Sequence, residues 1–203
     1  MKIICIGRNY AEHIAELNNE KPDEPVIFLK PDTALLPKDT DFILPEFSND
    51  VHYETEIVVK INKVGKYIDV KFAHKYYDQI SLGIDFTARD LQNKLKEKGL
   101  PWEKAKAFDG SAVVGNFLDK NNFQFIENIN FGLFKNGEQV QSGNTSLMLY
   151  KIDEIIAYVS QFFTLKTGDL LFTGTPKGVA AVNPNDILEG YIEQQKIFKL
   201  SIK

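Results

Sequence analysis

Two stretches decide the fold: VHYETEIVVKINK at residues 51–63 and SLGIDFTARDLQNKLKEKG at residues 81–99. The first is rich in β-branched residues and reads as one long strand. The second opens with a short apolar strand, SLGIDF, and runs directly into the clearest helix of the chain. Thr87 and Asp90 stand at capping-box-like spacing, Leu91 and Leu95 share a face, and Gly99 supplies the stop. Working outward, MKIICIG reads as a first strand, and NYAEHIAELNN as a short helix capped by Asn9 with Tyr10, Ile14 and Leu17 in one apolar stripe. Pro22, Pro25, Pro31, Pro37 and Pro45 confine the next segment to brief extended pieces such as VIFLK. FAHKYYDQI suggests a helix. FGLFKNGEQVQ is a hairpin, its Asn136-Gly137 suited to a type I′ turn. KIDEIIAYVSQFF is an amphipathic helix, and Phe198, Leu200 and Ile202 alternate with polar neighbours in a last strand. Strands outnumber helices and no βα unit repeats, which predicts a β-rich α+β fold in a single domain, residues 1–203.

Composition narrows the function. The chain has 203 residues, 43% of them hydrophobic, a formal net charge of −4 and one cysteine. No basic stripe with interleaved aromatics marks a nucleic-acid surface. No apolar run is long enough to span a membrane. Cys5 excludes an intrachain disulfide framework and reads as a small core residue. A cytoplasmic enzyme or binding protein is the expectation.

The chemistry-bearing residues are mostly acidic. Glu54 and Glu56, two apart on a strand, leave the same face, with His52 and Val58 in the same row. Such a pair is either a solvated face or a place for a hard cation, Mg²⁺, Mn²⁺ or Ca²⁺. Asp85 ends an apolar strand just before a helix, as a third ligand or as a cap. Three carboxylates from two strands would leave coordination positions for water and substrate, as a catalytic Mg²⁺ requires. His13 and Glu16 lie three apart and can meet on one helix face, either as a solvated pair or as a base with its orienting carboxylate. Lys106, between Trp102 and Phe108, would bind an anionic substrate or snorkel to the surface. Arg8 divides between anion binding and surface in the same way. FTGTPKGV places hydroxyl and N–H donors in a tight turn after DLLF; it could hold a carboxylate, and its glycine spacing is not that of a phosphate loop.

Taken together, GRNYAEHIAEL (7–17), YETEIVVKI (53–61), GIDFTARDLQNKLKEKGLPWEKAKAFDGSAVVG (83–115), GNTSLM (143–148) and LLFTGTPKGV (170–179) resemble, in order, the fumarylacetoacetate hydrolase family. The similarity is to its short branch of acylpyruvases and oxaloacetate decarboxylases. The resemblance implies a β-rich roll with peripheral helices, usually a homodimer. It implies Glu54, Glu56 and Asp85 as ligands of Mg²⁺, with Lys106 beside the substrate. His13 and Glu16 correspond to the branch's dyad, carried on a segment, residues 9–18, that orders as a lid. Gln92 and Thr175 match positions that contact the 2-oxo acid, and Arg8 would assist with its carboxylate. The longer family members have an additional N-terminal domain and a further acidic ligand for which this chain has no room, so fumarylacetoacetate is not the expected substrate.

The implied activity is magnesium-dependent hydrolysis of acylpyruvates to pyruvate and a carboxylic acid, with decarboxylation of oxaloacetate through the same enolate. An isomerase or decarboxylase of aromatic degradation, acting on 2-hydroxyhepta-2,4-diene-1,7-dioate, is the alternative. A non-catalytic metal-binding module is the more distant one.

Overall fold

A computed structural model describes residues 1–17 and 20–203. Three sheets form the body. The largest has the order β2 (Val26–Lys30), β1 (Ile3–Gly7), β11 (Leu170–Phe172), β4 (Thr55–Ile61), β5 (Tyr77–Asp85), β7 (Ala112–Val114), with β8 (Leu118–Asp119) also on β5. β1 and β11 pair in parallel and its other pairs are antiparallel. A second sheet has the order β10 (Glu138–Asn144), β9 (Asn130–Lys135), β13 (Ile187–Ile192), β14 (Gln195–Ser201). The third is a small one, with β3 (Val51–Tyr53) between β12 (Ala180–Ala181) and β6 (Thr87–Ala88). This is the β-rich α+β roll that the sequence indicates.

The five α-helices among the described residues are peripheral and short: α1 (Ala11–Glu16), α2 (Val70–Ala73), α3 (Arg89–Glu97), α4 (Glu103–Lys106) and α5 (Ile152–Phe162). α5 follows its pattern, burying Ile152, Ile155, Ile156 and Val159 against the main core. The Asn136-Gly137 turn is as expected, both residues having positive φ, 54° and 88°. Cys5 is buried in a second apolar cluster with Val58 and Phe172. No helix among the described residues is long and apolar enough to cross a membrane.

Four local readings change. The long strand of residues 51–63 is two strands, broken at Glu54, because β3 pairs with β6 and β12 while β4 pairs with β5 and β11. The helix suggested for FAHKYYDQI is one turn, α2, ending at Ala73; Tyr77–Ile80 instead lengthen β5, whose Tyr77 and Ile80 are buried. The capping box at Thr87 does not form: α3 starts after Ala88 with no side-chain cap, and Asp90 accepts from Ser48 Oγ at 2.7 Å and Leu91 N at 2.8 Å. Thr87 is spent in β6. Asn9 likewise does not cap α1; its buried amide ties Tyr150 O and Thr173 O together at 3.1 and 2.8 Å. The last two residues of NYAEHIAELNN lie outside the described residues.

Candidate active site

The ends of β4 and β5 bring the three acidic residues together. The chain crosses from β3 to β4 at Glu54, whose carbonyl accepts from Asp85 N at 2.8 Å, so the backbone itself joins the two carboxylate-bearing segments. Opposite Glu56 sits Gly83, where a Cβ would lie 2.8 Å from Val58 Cγ2; only glycine lets the strands close here. One oxygen each from Glu54, Glu56 and Asp85 lies within 4.8 Å of the others, and all three residues are buried. The solvated-face reading of Glu54 and Glu56 is thereby removed.

Buried carboxylates this close need compensating charge. Lys106 supplies it centrally: Nζ donates to Glu54 Oε2 at 2.8 Å, Asp85 Oδ2 at 2.6 Å and Thr87 Oγ1 at 2.6 Å. Arg89 Nη2 binds Glu54 Oε1, and its Nη1 donates to Gln92 Oε1 at 2.6 Å. Lys30, fully enclosed, places Nζ 2.8 Å from Asp85 Oδ1. Burial works to raise the Glu54 carboxyl, but Lys106 and Arg89 outweigh it and hold this group well below the usual carboxylate range. Glu56 goes the other way: burial, then repulsion by Asp85 and Glu54, pushes it well above that range, and the Gly174 N–H at 2.7 Å only partly offsets this.

The donor set fits a hard divalent cation. It offers three carboxylates at one point and no sulfur. The Lys30 ammonium, although near, donates to Lys106 O and to Ser111 O and Oγ, the last two 3.1 and 2.9 Å away, so Asp85 Oδ1 is faced by a positive charge but accepts no hydrogen bond.

α1 closes one side. His13 Nδ1 is 3.1 Å from Glu16 Oε2, and His13 is buried at 6% exposure, which overrides the solvated-pair reading. Glu16 Oε1 accepts from Gly178 N at 2.9 Å, so the dyad is anchored to the loop after β11. Since a carboxylate only accepts, Nδ1 carries the proton and Nε2 is the basic nitrogen. The turn expected to hold a carboxylate does so with the chain's own: Gly174 N takes Glu56 and Gly178 N takes Glu16.

One cavity collects these groups. Arg8, His13, Glu54, Glu56, Asp85, Gln92, Lys106 and Thr175 all line it; of the expected residues Glu16 alone is not in the lining, and it touches His13. Its empty space, open solvent at the mouth included, is about 430 Å³. Thr175 Oγ1 accepts from the buried Gln141 Nε2 at 2.9 Å.

With this geometry, comparison with known proteins is direct. The family model for the fumarylacetoacetate (FAA) hydrolase C-terminal domain matches residues 2–201. The chain belongs to the fumarylacetoacetate hydrolase family. Within that family it is 40% identical over 201 residues to the mitochondrial oxaloacetate tautomerase FAHD1 of Bos taurus, covering 99% of this chain and 91% of the relative. It is 39% identical to the mitochondrial oxaloacetate decarboxylase of Dictyostelium discoideum, covering 93% and 87%. Its fold superposes with a TM-score of 0.94, at 33% identity and covering 100% and 89%, on the fumarylpyruvate hydrolase of Pseudomonas aeruginosa, whose crystal structure holds Mn²⁺ and pyruvate.

Three site residues of this family member escaped the sequence reading. Lys30 had a signal: a lysine on the same row as Val26 and Phe28 of an apolar strand, just before a proline. Arg89 stood inside the TARD motif but was assigned no role. Lys96, one turn beyond Gln92 on α3, also lines the cavity.

Proposed function

We propose that this protein is a magnesium-dependent enzyme for small 2-oxo acids that hydrolyses acylpyruvates to pyruvate and a carboxylic acid. One observation carries the reading: three carboxylates suited to one hard cation and a His–Glu dyad face the same small, cation-rimmed cavity. When bound to Glu54, Glu56 and Asp85, magnesium would supply a Lewis acid for the substrate's 2-oxo oxygen.

The chain's own groups supply the rest. Gln92, through its Nε2, and Thr175 orient the 2-oxo carboxylate, and Lys106 adds its positive charge beside it. His13 Nε2 takes a proton from a water that attacks the distal carbonyl, and Glu16 steadies the imidazolium through Nδ1–H. The bond between that carbonyl carbon and carbon 3 breaks; its electron pair stays with the pyruvate half, which forms as the enolate and takes at carbon 3 the proton that His13 had accepted. The distal half leaves as the carboxylic acid. α1, by covering the cavity, keeps bulk water out.

A second reading has its own support in the oxaloacetate tautomerases and decarboxylase among the relatives. In it the same dyad moves a proton between carbon 3 and the 2-oxo oxygen of oxaloacetate and no water attacks; decarboxylation would likewise need none. The test is pyruvate release from acetylpyruvate and oxaloacetate, together with decay of enol-oxaloacetate absorbance, in Mg²⁺ and in EDTA, for wild type and Glu16→Ala. Metal-dependent acetylpyruvate cleavage that collapses in the variant supports hydrolysis. Enol decay alone moves the assignment to tautomerisation, and absence of all three activities rejects the 2-oxo acid reading.

A further inference from the structure

The connection from β4 to β5, NKVGKYIDVKFAHKY at residues 62–76, carries a basic and aromatic surface that the acidic balance of the whole chain conceals. It holds Lys63, Lys66, Lys71 and Lys75 against one carboxylate, Asp69, in a chain of net charge −4. Val64, Tyr67, Val70 and Phe72 on the same connection, and Phe162 at the end of α5, are between 46% and 74% exposed. We propose that this surface docks reversibly on an anionic lipid bilayer and holds the protein at the membrane face without crossing it.

The surface is built into the fold. Gly65 and Leu165 exchange two backbone hydrogen bonds, of 3.0 and 2.8 Å, while Tyr67 N donates to Ser160 O at 3.0 Å and Ile68 N to Ser160 Oγ at 2.8 Å. The connection is thus fastened to α5 and to the turn after it. Ile68 and Ala73 are buried in the main core, which leaves their neighbours facing outward. Tyr67 has φ 51°, a left-handed conformation unfavourable for tyrosine, and in it the ring stands in solvent. Apolar side chains exposed singly are ordinary, whereas five gathered at one place mark a contact surface.

The chemistry selects the occupant. Each lysine lies against a ring: Lys63 Nζ is 4.3 Å from the Tyr76 centroid, Lys66 Nζ 4.9 Å from that of Tyr67, and Lys71 and Lys75 Nζ 5.0 and 5.1 Å from that of Phe72. Ammonium groups and apolar side chains therefore reach the same level, which suits a headgroup layer where phosphates lie over acyl chains. Of the four lysines only Lys71 has a carboxylate partner among the described residues, Asp69 at 3.2 Å. A second copy of the chain fits poorly, since a two-fold contact through this surface would press lysines against lysines. A peptide needs a groove or a free strand edge, and side chains this exposed protrude instead. A nucleic acid would gain nothing from Val64 and Val70, which have no ring to stack on a base.

The surface is also separate from the candidate site. Glu56 near the start of β4 and Lys63 just beyond its end are about 20 Å apart along the strand. Substitutions here touch none of the groups that line the cavity.

The test is co-sedimentation of the full chain with vesicles of phosphatidylcholine alone and of equimolar phosphatidylcholine and phosphatidylglycerol. Wild type is compared with Lys63→Gln/Lys75→Gln and Tyr67→Ser/Phe72→Ser, with thermal melts to show that each variant is folded. Wild type should bind the anionic vesicles only, and release them in about 0.5 M salt, where exposed charges are screened within a few ångströms. Loss of two lysines should weaken binding about thirtyfold, and loss of the two rings about tenfold. If the ring variant melts early, the lysine variant decides. No binding to anionic vesicles at low salt overturns the proposal, as does equal binding to both vesicle types or undiminished binding by the folded variants. Capture of polyglutamate or duplex DNA in place of vesicles, lost in the lysine variant, would also overturn it and assign the surface to an acidic polymer.

Discussion

Replacing Lys30 by methionine removes the ammonium behind Asp85 while keeping most of the side-chain volume. In the wild-type protein both side chains of this pair are fully enclosed, 2.8 Å apart. Breaking a buried ion pair by deleting one partner costs about 3–5 kcal/mol. Asp85 keeps Lys106 at 2.6 Å, which places the ion-pair loss at the lower end, about 3 kcal/mol, even though Ser111 and the Lys106 carbonyl lose a donor. For a chain of this size that lowers the Tm by roughly 6–12 °C. Urea unfolding followed by fluorescence and circular dichroism, without divalent cation, measures it. Asp85→Asn and the double variant complete a cycle, in which a coupling of about 1–2 kcal/mol is expected between the two sites. A loss under about 1 kcal/mol, or additive single effects, would refute the argument that Lys30 is the counter-charge of Asp85.

Three other outcomes follow from the same geometry. Glu16→Gln should lower turnover by about 10²–10⁴-fold, since it removes the carboxylate that orients and charge-stabilises His13; a change below threefold in steady-state kinetics would count against the dyad. Gly174→Ala should destabilise by about 1–3 kcal/mol, because Gly174 has φ 101° and an added Cβ would stand 2.7 Å from Asn9 Cβ; thermal melts check it, and a neutral result would mean the loop can give way. Asp186, although burial works to raise it, is lowered overall by Asn136 Nδ2, Asn183 N and Lys135. A depressed folded pKa contributes stability above the unfolded value of about 3.9. The stability gap between wild type and Asp186→Asn should therefore be full at neutral pH and shrink as pH falls below about 4; a gap independent of pH would contradict this.

The grouping of the candidate site residues was more legible in the sequence than the bounds of the elements. Glu54, Glu56 and Asp85 were legible because acidic residues stand where β-branched strands should be apolar, and burial with a cation is what such placement requires. The break at Glu54 was not legible, since β3 and β4 differ only in which strands pair with them, a long-range choice that leaves no local mark. Thr87 and Asn9 failed as caps for a related reason. Each has the side chain a cap needs, but tertiary partners, Lys106 for Thr87 and the Tyr150 and Thr173 carbonyls for Asn9, take it instead. α3 shows the limit of reading faces by hydrophobicity. Leu91 and Leu95 suggested the packed face, whereas its buried residues are Arg89 and Gln92, directed to the carboxylates. Lys96 and Lys30 were hidden among the 24 lysines and arginines of the chain, and only their three-dimensional neighbours separate them from solvated ones.

The measurement that bears most directly on the account is calorimetric titration of the protein with Mn²⁺, for wild type, Glu56→Gln and Asp85→Asn. The account predicts one site per chain in the wild type and its loss in both variants. Stoichiometric binding that survives both substitutions, or no binding to the wild-type chain, would contradict the assignment of Glu54, Glu56 and Asp85 as the cation site on which the proposed chemistry depends.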